Sequence, residues 1–201
     1  RHRLPAEMIR DGILAACGIL VEQVGGPPVK TYDIPESFKP AGADQGPALY
    51  RRSLYTFWRR SGPAPVLESF DVPKRVVCVA RRDTTNTPLH ALVLLNGPQF
   101  VEAARLLAER LLVEHAGAAD AAVDRAFLLL TGTTPDADER RILGDMLAKQ
   151  AAWYRAHPDD AAKLVAVGQA KPRAGLAATD VAPVAAVVNA IMNYDGCVVK
   201  R

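Results

Sequence analysis

The chain has 201 residues, 49% of them hydrophobic and 23% charged, with a formal net charge of +3. This composition is that of a folded globular chain and excludes intrinsic disorder. The longest apolar runs, LHALVLLN and AFLLLT, are far shorter than the roughly 18 residues of a membrane span, so we expect no transmembrane segment. The length fits one globular domain or two small ones, and we expect residues 1–201 to be a single helical domain. Because the sequence begins with neither an initiator methionine nor an apolar signal core, we expect this domain to be a fragment of a longer protein.

The first clear pattern is LPAEMIRDGILAACGILVEQVGG, which predicts an amphipathic helix that begins near Pro5 and ends at two glycines. Apolar side chains recur on one face at steps of three and four: Ile9, Ile13, Ala16, Cys17, Leu20 and Val24. Cys17 lies on this face, so we expect it to be buried rather than reactive. Proline and glycine are frequent in residues 26–49, which predicts a long irregular loop.

Two short segments in the middle of the chain are candidate strands. Residues 49–60, LYRRSLYTFWRR, fit helical spacing as well, but their aromatic and threonine content favours a strand, which we prefer. Residues 75–81, RVVCVAR, are β-branched and predict a second strand with Cys78 at its centre. We therefore expect at most a small two-stranded β element around residues 50–82, with Cys78 as a buried thiol that has no base beside it.

Apolar stripes and capping residues predict a helical bundle over residues 88–201. Pro88 and Pro98 suit the first position of a helix, and Thr87 and Asn96 precede them as candidate caps. The best-marked helix lies in TTPDADERRILGDMLAKQAAWYRAHP, whose first turn is acidic and suits the positive end of the helix dipole. Further helices are expected over about 118–132, 159–167 and 180–194. The predicted fold class is mainly α.

No local motif assigns a metal or a reaction. The three cysteines, Cys17, Cys78 and Cys197, lie far apart, so at least one is outside any intrachain disulfide. The four histidines are scattered singly, and the metal, haem-attachment, phosphate-binding and hydrolase motifs are missing. We expect no metal site, and the catalytic residues, if there are any, stay unknown.

Positive charge is concentrated between Arg51 and Arg82, where eight basic residues accompany only Glu68 and Asp71. The basic residues are Arg51, Arg52, Arg59, Arg60, Lys74, Arg75, Arg81 and Arg82. The planar guanidinium group of arginine suits carboxylate, sulfate or phosphate groups, which indicates an anionic ligand or partner. The alternative is that these arginines form structural ion pairs and solvated edges.

The polar run DTTNTP, residues 83–88, lies at the predicted start of a helix, where unpaired amides and the helix dipole favour negative charge. Arg81 and Arg82 precede it, so one interpretation is an oxyanion pocket with Asp71 as an internal counter-ion to an arginine. The other is a plain helix cap, in which Thr87 accepts from the helix amides; the two are compatible. The candidate ligand-binding residues are Arg51, Arg52, Asp71, Arg81, Arg82, Thr85, Asn86 and Thr87.

A family resemblance covers nearly the whole chain. The segment YRRSLYTFWRRSGPAPVLESFDVPKRVVCVARRDTTNTPLHALVLLNGPQFVEAARLLAERLL, with RLPAEMIRD, VGGPPVK and NAIMNYDGCVVKR, resembles the PSD-one domain of unknown function of planctomycetes and Verrucomicrobia. That domain lies at the C-terminal end of long exported proteins, whose N-terminal parts often carry a cytochrome-c-like module. Because the family pattern begins before Arg1, we expect the first part of the domain to be missing.

The resemblance implies an extracytoplasmic location and a helical module whose partners are the cytochrome-c-like or other domains of a parent protein. It implies no cofactor in this chain, because any haem would belong to another part of that protein. It transfers no catalytic residue, since the family has no established reaction.

Three functions from different classes are compatible with these observations. The preferred one is a non-catalytic binding or docking module that contacts an acidic polysaccharide, another anion or a partner domain through the Arg51–Arg82 surface. The second is an extracytoplasmic enzyme on acidic glycans with Asp71 as its carboxylate, although Glu68 would face the opposite side of a strand. The third is nucleic-acid binding, against which the small net charge and the exported family argue.

Overall fold

The computed structural model describes residues 2–33, 42–59 and 63–200. The chain divides into two compact units, Arg1–Val93 with Val198–Arg201, and Leu94–Cys197. Helices dominate, and the described residues contain one two-stranded sheet, so the predicted mainly α class is confirmed. The single domain expected over residues 1–201 stays a prediction.

The secondary structure is as follows. The strands are β1 (His2–Arg3) and β2 (Val199–Lys200), which pair antiparallel with Arg3 opposite Val199. The helices are α1 (Ala6–Ala16), α2 (Pro65–Ser69), α3 (Pro88–Asn96), α4 (Pro98–Glu114), α5 (Ala119–Thr131), α6 (Ala137–Ala156), α7 (Pro158–Val165), α8 (Ala178–Met192) and α9 (Asp195–Val198). Two short 3-10 turns cover Gly46–Tyr50 and Ser53–Tyr55. No described helix combines the length and the apolar character needed to cross a membrane.

Helix α1 is shorter than its apolar stripe predicts. It ends because Gly18 adopts a left-handed φ of 74° and the amide of Ile19 turns back to the carbonyl of Leu14 at 3.0 Å. Cys17 lies at the C-cap and is buried, as predicted, whereas Val24 at the far end of the predicted stripe is 89% exposed. The described residues that follow are irregular, as predicted for the loop, and residues 34–41 of that loop lie outside the described part of the chain.

The strand predicted over residues 49–60 is wrong. Its described part contains the two 3-10 turns and irregular backbone between and after them. The guanidinium group of Arg10 takes the carbonyls of Leu49 (2.7 Å) and Arg51 (2.9 Å), which a neighbouring strand would otherwise bond. Isolated bridges join Val21 to Arg51 and Val29 to Thr56. Arg60 lies outside the described residues.

The strand predicted over residues 75–81 is also wrong, since the first segment offers it no partner strand. Its backbone bends at residues 75–77 and 80–81, and its side chains are exposed. Cys78 is exposed as well, so the predicted burial of this thiol is wrong. The small sheet forms instead between residues 2–3 and 199–200.

The second unit, Leu94–Cys197, has helices α4 and α8 at its centre. Their facing side chains are small or branched and almost fully buried: Ala103, Ala104, Leu107, Ala108, Leu111, Val184, Val187 and Val188. Helix α6 has the expected start, with a capping box in which Asp136 accepts from the Glu139 amide (2.8 Å) and Glu139 accepts from the Asp136 amide (2.9 Å). The cap predicted for α4 at Asn96 is wrong, because the N-cap is Gly97.

Buried charges on α4 hold the linker between α7 and α8. Arg105 bonds Glu109 at 2.6 Å and the carbonyl of Ala170 at 2.7 Å. Glu102 accepts from the backbone amide of Ala170 at 2.7 Å. A Cβ atom on Gly168 would lie 2.2 Å from the Glu102 side chain, so only glycine fits this close approach. These bonds pair the Glu102 carboxylate and both terminal nitrogens of Arg105 within the unit, which explains why the charges are tolerated in its interior, while Arg105 Nε is buried without a hydrogen-bond partner in the described residues.

Candidate functional site

The predicted anion-binding junction holds an anion that belongs to the chain itself. The carboxylate of Asp71 accepts from the Thr85 amide (2.7 Å), from the Thr85 hydroxyl (2.8 Å) and from Arg3 Nη2 (2.5 Å). Arg3 also donates from Nε to the carbonyl of Thr85 at 2.9 Å and from Nη1 to the carbonyl of Phe70 at 3.3 Å. We call Arg3, Asp71 and Thr85 the clasp, because they join the two ends of the segment 72–84, which we call the basic loop.

The C-terminus of α2 positions Asp71. Phe70 is the C-cap, Asp71 follows with a left-handed φ of 60°, and the Val72 amide turns back to the carbonyl of Leu67 at 3.2 Å. This is a Schellman motif, in which glycine is the usual residue at the left-handed position. Aspartate is among the few other residues that tolerate it. Leu67 and Val72 are both buried, which supplies the hydrophobic contact of the motif. With the backbone fixed in this way, the Asp71 carboxylate lies within hydrogen-bond distance of Thr85.

Antiparallel pairing of β1 with β2 positions Arg3. Its side chain is 8% exposed, and its guanidinium carbon lies 5.6 Å from the centre of the Phe70 ring. Arg3 was absent from the candidate residues because it lies 68 positions from Asp71 and no local pattern connects the two. Only the tertiary structure reveals this ion pair.

The clasp keeps Asp71 ionised. Partial burial opposes the charged form, but the amide and hydroxyl of Thr85 and the positive charge of Arg3 together outweigh that effect. The pKa of Asp71 is therefore lowered below its ordinary value. A carboxylate with these partners acts as a structural anion.

His90, in the first turn of α3, lies beside the clasp. Its ring stacks on Phe70 with centroids 4.8 Å apart, and its Nδ1 accepts from the Thr87 amide at 3.4 Å. Burial and the charge of Arg3 lower the pKa of His90, while the Ser69 carbonyl and Asp71 oppose that shift. The predicted cap has the Thr87 side chain as acceptor for the helix amides; the His90 bond uses the backbone amide of Thr87 instead, so that cap stays a prediction.

The remaining candidate residues separate into two groups. Arg51 is buried, donates to the carbonyls of Gln23 (3.1 Å), Gly25 and Pro27 (3.0 Å), and lies 4.0 Å over the ring of Tyr55. Its guanidinium group holds the loop before it and is not available at the surface. Arg52, Arg81, Arg82 and Asn86 are exposed.

The basic loop carries the exposed cations that could meet a ligand. Arg82 pairs with Glu7 at 2.8 Å, and Lys74 pairs with Glu68 at 2.9 Å. Arg75 lies 4.8 Å over the Trp58 ring, and neither it nor Arg81 has a carboxylate partner in the described part of the chain. The loop and the end of α2 border a half-open cavity of about 340 Å³. Its lining includes valines, these basic side chains and the acidic residues Glu68, Asp71 and Asp83.

A metal site has no support in the described ranges, where no group of three or more His, Cys, Asp or Glu side chains could hold an ion.

The protein is thus mainly helical, and the clasp of Arg3, Asp71 and Thr85 joins the two ends of an exposed basic loop. The family model described as PSD1, protein of unknown function (DUF1553), matches residues 1–147. The chain therefore belongs to the PSD1 family, which confirms the resemblance found in its sequence. No curated protein and no solved structure matches the chain.

We predict that Asp71→Asn lowers the free energy of unfolding by about 2 kcal/mol at pH 7, because charge-assisted hydrogen bonds are lost. Since the folded pKa of Asp71 is lowered, its contribution is complete above the unfolded value of about 3.9 and is lost as pH falls through the folded pKa. Urea unfolding at pH 7 and pH 3 should show the gap between the two proteins narrowing in acid. Asp83→Asn, an exposed carboxylate of the same loop, is the control; an Asp71→Asn protein as stable as wild type at pH 7 would contradict the clasp.

We predict that one thiol reacts rapidly with a thiol reagent in the native protein, and that Cys78→Ser removes this fast phase. Cys78 is exposed, whereas Cys17 is buried and burial raises the pKa of Cys197 to about 12. Cys17 and Cys197 should react only slowly, and fully on unfolding. Absence of a fast phase in the wild-type protein would show that the basic loop is covered.

Proposed function

We propose that this chain is a non-catalytic binding or docking module, and that its basic loop contacts an anionic ligand, an acidic polymer or a partner domain. The proposal includes the setting that the resemblance implies: an exported, cytochrome-associated planctomycete protein, with this module outside the cytoplasm. The partners would be cytochrome-c-like or other domains of the parent protein, and any haem would lie in those domains.

One observation carries the proposal: Arg75 and Arg81 are exposed on the basic loop and have no carboxylate partner in the described part of the chain. A single exposed arginine has no special meaning, since charged side chains are normally exposed. Here, however, the clasp fixes both ends of a segment whose exposed side chains are mainly cationic and apolar, with Asp83 as the one carboxylate in its sequence. Loops that a rigid scaffold holds in this way are common binding sites.

The hydrogen bonds of Arg51, Asp71 and Thr85 reduce the number of residues that we propose for contact with a ligand. Arg51 is occupied by backbone carbonyls, and Asp71 and Thr85 bind each other. The proposed contact surface is therefore the segment from Lys74 to Arg82, with Arg52 outside it.

The glycan-cleaving alternative gains no specific support. Asp71 is bound by Arg3 and Thr85, and Glu68 is paired with Lys74 at 2.9 Å. Glycoside cleavage needs one carboxyl group that can give up a proton and a second that is free to act as a base or nucleophile. Both carboxylates have other partners here, which favours the non-catalytic proposal.

The experiment is heparin binding measured at increasing salt concentration. We predict that binding weakens as salt rises, because exposed charges are screened over about 8 Å at physiological ionic strength. Arg75→Gln/Arg81→Gln should abolish the binding and leave the free energy of unfolding within about 1 kcal/mol of wild type.

The matched control is Arg125→Gln/Arg173→Gln, which removes the same charge from exposed positions of the second unit. It should keep most of the affinity. If both double variants lose the same affinity, net charge alone is responsible, and the basic loop is not the binding surface.

A further inference from the structure

The basic loop contains a run of backbone groups that the fold leaves unused. Residues 75–84 form no backbone-to-backbone hydrogen bond in the described part of the chain. Their side chains are exposed as well, including Val76 (45%), Val77 (73%) and Val79 (53%). A β-strand needs free backbone N–H and C=O groups and is favoured by β-branched side chains, and here both are exposed.

The side chains of the loop alternate in a way that would give a β-strand two similar faces. In an extended conformation Val77, Val79 and Arg81 would share one face, and Val76, Cys78, Ala80 and Arg82 would share the other. Each face would be apolar in its middle and cationic at its C-terminal end. Arg75, with a left-handed φ of 58°, begins the segment.

We propose that residues 76–82 bind their partner as a β-strand, by pairing with an extended acidic segment of a partner protein. This inference rests on the proposed function, because it names the kind of partner that the basic loop binds. Strand addition uses main-chain hydrogen bonds for affinity and alternate side chains for specificity.

The positive charges of the basic loop favour one kind of partner strand over the others. A second copy of this chain is disfavoured. Parallel self-pairing in register sets each arginine opposite its equivalent, and antiparallel self-pairing of residues 76–82 sets Arg81 opposite Val77 and Arg82 opposite Val76, so neither pairing gives these two arginines a carboxylate. An acidic polysaccharide would satisfy the arginines but could not complete a ladder of amide hydrogen bonds. An acidic strand with an apolar centre would satisfy the cations, the valines and the backbone together.

Pairing requires the loop to straighten, since its backbone bends at residues 75–77 and 80–81. No backbone hydrogen bond of the segment has to break for this to happen. The clasp holds both ends of the loop, so the cost is the conformational entropy of the residues between them. Segments that order on binding commonly meet this cost through the contacts they gain.

The test uses a labelled peptide, Glu-Glu-Val-Thr-Val-Thr-Val-Glu-Glu, with fluorescence anisotropy as the readout. Its control is the same peptide with alternate amides N-methylated along either edge, which keeps every charge but cannot donate to a ladder. A second control is polyglutamate. We expect the peptide to bind and methylation along one edge to weaken binding by about tenfold or more, since each ladder hydrogen bond contributes.

Proline variants test the protein side, because they remove amide donors and keep every charge of the loop. Alternate amides of a strand face opposite edges, so Val77→Pro/Val79→Pro and Cys78→Pro/Ala80→Pro block one edge each. One of the two should abolish peptide binding without affecting polyglutamate binding. Val77→Thr/Val79→Thr, which keeps the amides and the β-branched shape, should retain most of the affinity.

The outcomes separate this inference from the proposed function. Equal binding of the peptide and both methylated forms, or full peptide binding by both proline variants, would overturn strand pairing. Binding of polyglutamate without the peptide would overturn strand pairing and leave the proposed anion contact in place. Binding of neither would overturn strand pairing, and absence of heparin binding in addition would overturn the proposed anion contact.

Discussion

The ion pair between Arg3 and Asp71 fixes the position of the basic loop. This loop is the exposed basic surface of the first unit, Arg1–Val93 with Val198–Arg201. The ion pair joins the β1–β2 sheet to the end of α2, and Thr85 extends it to the start of α3. Arg3 adds to the direct bonds between Asp71 and Thr85, and it ties both ends of the basic loop to the β1–β2 sheet. The loop contributes few contacts of its own, so its position is decided by the clasp at its two ends.

The clasp also changes the meaning of the anion-binding pattern in the sequence. An amide, a hydroxyl and a guanidinium group do converge here, as an oxyanion pocket requires. They belong to Thr85 and Arg3, and the anion they bind is the carboxylate of Asp71. An external anion would have to displace a charge with three donors and a lowered pKa. The side chains free to meet such a ligand lie further along the loop, at Arg75 and Arg81.

The sequence predicted the helices well because their signals are local. Asp136 with Glu139 marks the start of α6, and Gly132, with a left-handed φ of 78°, marks the end of α5. Each of these signals acts within one or two turns of backbone. Signals of such short range depend little on the rest of the fold, so they predict these helix ends from the sequence alone.

The sequence failed where distant residues override local preference. The aromatic segment around Tyr55 has strand composition, but Arg10 takes the carbonyls that a strand would pair. Residues 75–81 then lack a neighbour, so a segment of strand composition stays in solvent. Arg3 carried no signal at all, because its role depends on a partner 68 positions away.

A double-mutant cycle on Arg3 and Asp71 tests the clasp most directly. The free energy of unfolding is measured by urea denaturation for the wild type, Arg3→Gln, Asp71→Asn and the double variant. The clasp predicts a coupling energy of about 1 kcal/mol or more, since the two side chains share a charge-assisted hydrogen bond. Additive losses, with coupling below about 0.5 kcal/mol, would show that Arg3 and Asp71 act independently and that the basic loop is not held by their contact.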